Sequence, residues 1–171
     1  MSADANQKDV GKAGFWISQL VIIIATVGGV YLAASQGLKQ AIQFDAIKSE
    51  QTNYYLRKSL QNELADNVGY IRDYIGKVNG RVANPTLNLE TFVWNSMTYS
   101  PAALETPSEL LREAQKFYHQ VEETMKSQAA VPVRMKALEE LAKHVETEVL
   151  PKFEADAKTL RDRLKARNID V

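Results

Sequence analysis

The chain has 171 residues, enough for one domain and an appendage. Its 21 lysines and arginines balance its 21 aspartates and glutamates, so the basic excess of a nucleic-acid binder is missing. It has no cysteine, which excludes disulfides, thiolate catalysis and cysteine-based zinc sites.

Residues 13–38 contain no charged side chain and are bracketed by Lys12 and Lys39. The centre reads Leu20-Val21-Ile22-Ile23-Ile24-Ala25-Thr26-Val27. A membrane span needs roughly 20 apolar residues, and this run suffices. Trp16 and Tyr31 stand toward its ends, where amphipathic rings anchor in the headgroup region. A cleaved signal peptide is disfavoured, because Asp4 and Asp9 accompany Lys8 and Lys12 and the apolar run is long. We therefore expect a polar tail over 1–12, a retained transmembrane helix over 13–38 and a helical extramembrane domain over 39–171. The setting expected is the plasma (inner) membrane. Lys39, Lys48, Arg57 and Lys58 follow the span, so the positive-inside rule leans toward a cytoplasmic C-terminal domain.

Within the span, Ala25, Gly29, Ala33 and Gly37 recur every four residues and share one helical face. Small residues let helix backbones approach closely in lipid. The stripe predicts packing against other membrane-protein subunits or a second copy of the chain. It does not choose between them.

No proline interrupts residues 39–79. Leu56, Leu60, Leu64, Val68, Ile71, Ile75 and Val78 recur at steps of three and four, which predicts an amphipathic helix continuing from the span. Arg57, Lys58, Glu63, Asp66, Arg72, Asp73 and Lys77 fall mostly off that stripe and read as a solvated face. Gly80 is the expected stop. A short helix over about 87–98 is expected to turn Leu89, Phe92, Val93 and Met97 inward, with Trp94 anchoring the core. Pro101 ends it.

Thr106-Pro107-Ser108-Glu109 predicts a capped helix start, with Thr106 as cap and Glu109 closing a capping box. That helix runs to about residue 128, with Leu110, Ala114, Phe117, Val121 and Met125 on one side. Pro132 opens another, with Leu138, Leu141, Val145 and Val149 inward. Pro151 is expected to break or kink the chain. A last helix presents Phe153, Ala157, Leu160 and Leu164, and its basic end suits the helix dipole. No segment shows sustained period-two alternation. The fold class expected is all-α: an N-terminal transmembrane helix continuing into a long helix, plus an antiparallel helical bundle.

The order of features carries a resemblance. A span leads into Leu60-Gln61-Asn62-Glu63-Leu64-Ala65-Asp66-Asn67, then Thr91-Phe92-Val93-Trp94-Asn95-Ser96-Met97. A helix bearing Leu110-Leu111, Ala114, Phe117-Tyr118 and Val121-Glu122 follows. Over about residues 15–125 this is similar to a broad group of prokaryotic single-span membrane proteins with helical extramembrane domains. The resemblance implies an architecture and no activity.

Candidate chemistry is sparse. Glu140, His144 and Glu148 can share a helical face, but i,i+4 ion pairs of this kind are routine surface features. Neither His119 nor His144 has the preceding glutamate of a Glu-x-x-His di-iron motif. Phosphate-binding glycine loops and nucleophile elbows do not occur. We expect no catalytic residue, no cofactor and no metal, and do not expect an enzyme. The expected partners are the lipid bilayer and other membrane-protein subunits or a second copy, with no nucleic acid. The leading functional expectation is a structural or accessory subunit of a membrane complex. A membrane-anchored sensor domain and a homo-oligomeric scaffold are the alternatives. For the sensor, the discriminating feature would be a polar pocket involving Tyr99, Tyr118 and His119.

Overall fold

Long runs of good helix formers, punctuated by few prolines, give an all-α chain with no strand among the described residues. The structure, a computed structural model, describes residues 4–171, with side chains from residue 15 onward. The expected polar tail and its lysines therefore lie outside the described side chains. Among the described residues five α-helices follow one another: α1 (Asp4–Asn79), α2 (Phe92–Thr98), α3 (Ser108–Lys126), α4 (Val131–His144) and α5 (Leu150–Ala166). A 3-10 segment occupies Pro101–Glu105, and a π-helical turn occupies Val145–Val149. The chain divides into two compact units, Met1–Ala46 and Ile47–Val171.

The first unit is the apolar part of α1. Its most apolar stretch has a mean hydropathy of 2.0 and none of it is buried. Among the described residues this is the one helix long and apolar enough to cross a membrane. Its hydroxyls are satisfied within the helix: Ser18 donates to the Phe15 carbonyl at 3.0 Å and Thr26 to Ile22 at 2.8 Å. A backbone bonded this way needs no water partner, which a span in hydrocarbon requires.

The second unit is a bundle with one core. Residues 47–79 of α1 contribute Leu60, Leu64, Val68, Ile71 and Tyr74. Leu110, Ala114, Phe117 and Val121 come from α3; Met135, Leu138, Leu141 and Ala142 from α4; Val145, Val149 and Phe153 from the last segment. The inward faces expected for α3, α4 and α5 are the buried ones, with Met125 half-buried. Side-chain pairs fix the directions. Arg57 meets Asp156 and Arg72 meets Glu146, so α1 is antiparallel to the α4–α5 segment. Glu109 meets Lys152 and Glu113 meets His144, so α3 is antiparallel to it too. Helices α1 and α3 consequently run parallel, which residues 80–107 permit by returning along the bundle.

Four local expectations need correction. Residues 87–91 are not helical, and α2 begins only at Phe92. Phe92 therefore starts the helix pointing outward and is 80% exposed, while Met97 is fully buried. Thr106 does not cap α3: its hydroxyl turns back to the Ala102 carbonyl at 3.0 Å, and no side-chain cap forms at Ser108. Glu109 bonds Lys152 at 2.7 Å instead of closing a capping box. That bond, with the charge of Lys152, holds the Glu109 carboxyl below its ordinary range. The break expected at Pro151 is present, but as an interruption of the α-helix just before it and not as a loop. Proline lacks an N–H and would clash with a carbonyl four residues back. The chain takes up this misfit in the π-helical turn, where the Leu150 N–H donates to Val145, five residues earlier.

The end of α1 is also closed differently from the glycine stop expected. The Val82 N–H donates to Lys77 and the Arg81 N–H to Val78. In this closure the left-handed residue is Arg81, at φ 56°, and not Gly80. A side chain in that region costs roughly 1–2 kcal/mol, part of which glycine returns as chain entropy. Arg81→Gly is therefore expected to stabilise the bundle by about 0.5–1 kcal/mol. A Tm raised by a few degrees in the solubilised protein checks this, and an unchanged or lower Tm rejects it.

Candidate functional site

Along residues 53–78, one face of α1 repeats at steps of four and three: Asn53, Arg57, Leu60, Leu64, Asn67, Ile71, Tyr74 and Val78. These are the seam positions of a heptad. Three of them are polar and buried, and Glu63 lies beside the seam at 4% exposure. Arg57 and Glu63 were expected on the solvated face. Both are buried because distant segments bring them partners.

The upper cluster centres on Glu63. Its carboxylate accepts the backbone N–H groups of Val93 at 2.6 Å and Trp94 at 3.0 Å, and the Tyr118 hydroxyl at 2.6 Å. Val93 and Trp94 lie in the first turn of α2, whose leading N–H groups have no helical partner. A carboxylate from α1 thus caps α2 in place of a local side chain, and its charge suits the positive pole of that short helix. Asn67 extends the contact. Its side chain donates to the Glu90 carbonyl and accepts the Glu90 N–H, both at 2.7 Å, as a strand neighbour would. Tyr70 donates to the Glu90 carboxylate at 2.8 Å. Trp94 is half-buried and stacks on Tyr118 with ring centres 5.6 Å apart. Burial first, and then the bond to Glu63, raise the Tyr118 pKa far above that of a free tyrosine. The hydroxyl therefore remains a donor at any pH the bundle meets.

The lower cluster centres on Arg57, at 5% exposure. One guanidinium nitrogen donates to Asp156 of α5 at 2.7 Å, and the other to the Glu105 carbonyl. The Glu105 carboxylate accepts from Ser49 at 2.9 Å and from the Asn53 amide nitrogen. Residues of α1 thereby hold the 80–107 segment at two places, 90–94 and Glu105. Below them a cleft of about 270 Å³ is lined by Glu50, Asn53, Arg57, Glu105, Asp156 and Arg163, among others.

A second, wider groove of about 440 Å³ lies between α3 and α4, with Phe117, Leu141, Val145 and Val149 in its lining and Glu113, Glu140 and His144 beside them. His144 faces Glu113 of α3 at 3.6 Å, and Glu140 lies 3.8 Å from Lys136, so the expected Glu140–His144–Glu148 cluster does not form. No group of three or more metal-ligating side chains converges among the described residues. Of Tyr99, Tyr118 and His119, only Tyr118 is partly buried; Tyr99 is 90% exposed and His119 stands on the surface.

Ala25, Gly29, Ala33 and Gly37 lie on the exposed surface of α1, and at Gly29 and Gly37 no neighbouring atom lies within 4 Å of where a Cβ would stand. Trp16 and Tyr31 are exposed on the same helix. The residues that the apolar segment's composition singled out are thus open to an outside partner. The buried Asn53, Arg57, Glu63 and Asn67 are additions that only the folded chain reveals. Comparison with protein-family models, with curated proteins and with solved structures returns no match.

Proposed function

We propose that the chain is a non-catalytic structural or accessory subunit of a membrane protein complex. In this reading 13–38 crosses the plasma (inner) membrane and docks against other helices through Ala25, Gly29, Ala33 and Gly37. The helical domain then contacts partner proteins. The observation that carries the proposal is the uncovered apolar stretch of α1. Its large side chains, from Phe15 to Leu38, are each more than half exposed. So long an apolar surface is not left to water in a monomer. Lipid covers it, with protein along the face where small residues permit close approach.

Purification of the full-length protein from native membranes in mild detergent tests the reading. A defined membrane complex of fixed stoichiometry is expected. Gly29→Ile, which adds bulk to the open face, is expected to release the partner while the bundle melts at the wild-type Tm. Recovery of a bare monomer in several mild detergents rejects docking. Recovery of a stable homodimer, lost in Gly29→Ile, replaces the accessory role with a homo-oligomeric scaffold.

A further inference from the structure

Around Asn53 and Arg57 the bundle buries polar atoms that its own groups leave unmatched. Asn53 is 2% exposed. Its amide nitrogen donates to the Glu105 carboxylate, which orients the side chain, and its Oδ1 then accepts no hydrogen bond. Arg57 uses both terminal nitrogens, yet its Nε donates to nothing. Glu50 Oε2 is buried with no hydrogen bond, though Arg167 approaches it to 3.1 Å. All three residues line the same cleft. Buried polar atoms are matched in the great majority of cases, so an unmatched donor on Arg57 and an unmatched acceptor on Asn53, both side chains almost fully buried in one cleft, mark a missing partner.

The charges define that partner. The cleft carries three carboxylates, from Glu50, Glu105 and Asp156, and two guanidiniums, from Arg57 and Arg163. A simple anion would satisfy Arg57 Nε but face the carboxylates. A simple cation would satisfy Asn53 Oδ1 and Glu50 but leave Nε bare beside a second guanidinium. A molecule bearing an ammonium and a carboxylate a few ångströms apart meets both needs. The volume of about 270 Å³ falls below the ~300 Å³ at which pockets for drug-sized ligands begin, so the occupant is small.

We propose that this cleft binds a small zwitterion of the α-amino-acid class. The ammonium donates to Asn53 Oδ1 and Glu50, and the carboxylate accepts from Arg57 Nε and Arg163. The inference does not depend on which protein the apolar helix docks against, and a failure of either proposal leaves the other standing.

Calorimetric titration of the detergent-solubilised full-length protein decides it. The probes are glycine, L-serine, L-aspartate and L-lysine, with lactate and isopropylamine as single-charge controls. At least one amino acid is expected to bind saturably and to raise the Tm, with both controls at least about tenfold weaker. Arg163→Gln removes an exposed guanidinium that forms no ion pair among the described residues. It is expected to weaken that binding by about tenfold with the unliganded Tm unchanged. The proposal is overturned if no amino acid binds at millimolar concentration, which would leave the cleft to ordered water. It is equally overturned if lactate or isopropylamine binds as tightly, or if Arg163→Gln leaves the affinity unchanged.

Discussion

Glu63→Ala is expected to destabilise the bundle by about 3 kcal/mol, among the largest effects of any polar substitution in this chain. The carboxylate receives three donors: two backbone N–H groups of α2 and the Tyr118 hydroxyl. Alanine supplies none of these acceptors and no local side chain of α2 replaces them, because Thr91 forms no cap. A neutral buried hydrogen bond is worth about 1 kcal/mol and one to a charged group about 1.5–3 kcal/mol, so the loss is well above the usual surface range. Glu63→Gln keeps one acceptor oxygen and is expected to fall between alanine and wild type. Tyr118→Phe removes the hydroxyl that donates to the carboxylate and accepts weakly from Asn67 at 3.3 Å, and is expected to cost about 1.5–2 kcal/mol. Chemical denaturation of the solubilised protein gives these values, and hydrogen exchange locates them. Amides of 93–97 should lose protection in Glu63→Ala more than those of α4. A Glu63→Ala variant within about 0.5 kcal/mol of wild type would mean that the first turn of α2 is already served by water.

The role of Glu63 also explains what was and was not legible in the sequence. Apolar residues repeat along α3, α4 and α5 at helical spacing, and their inward faces follow from that spacing alone, since any partner surface will cover them. A polar side chain is different: its burial depends on a partner whose position the local pattern does not contain. Arg57 is buried by Asp156, 99 residues away, and Glu63 by Trp94, 31 residues away. The available signal was the register. Extending the alternation of four and three back from Leu60 reaches Arg57 and Asn53, and forward from Leu64 it reaches Asn67. Polar residues at such seam positions specify register at some cost in stability. Phe92 went the other way. Its apolarity suggested burial, but a helix shorter than expected leaves it pointing outward at 80% exposure. The apolar helix that carries Ala25, Gly29, Ala33 and Gly37 was legible from its uncharged run alone. The polar cleft was not, because residues from 50 to 163 build it.

Arg57→Ala is expected to cost about 3 kcal/mol, at the lower end for a broken buried ion pair, because the Asp156 side chain keeps 22% of its exposure. The penalty arises less from the attraction lost than from a carboxylate left without its partner in a setting that water reaches poorly. A second substitution isolates that cause. In Arg57→Met with Asp156→Leu both charges are gone and apolar volume is retained, so most of the loss should be recovered. The remaining deficit should be about 1 kcal/mol, because the Glu105 carbonyl still lacks its donor. Denaturation of Arg57→Met, Asp156→Leu and the double variant closes a cycle, and the coupling energy is expected to exceed about 1 kcal/mol. A double variant as unstable as Arg57→Ala would place the effect on the Glu105 carbonyl and not on the pair. The double variant also separates folding from ligand recognition. It restores the bundle without restoring Arg57 Nε to the cleft, so it should melt near the wild-type temperature while amino-acid binding is lost.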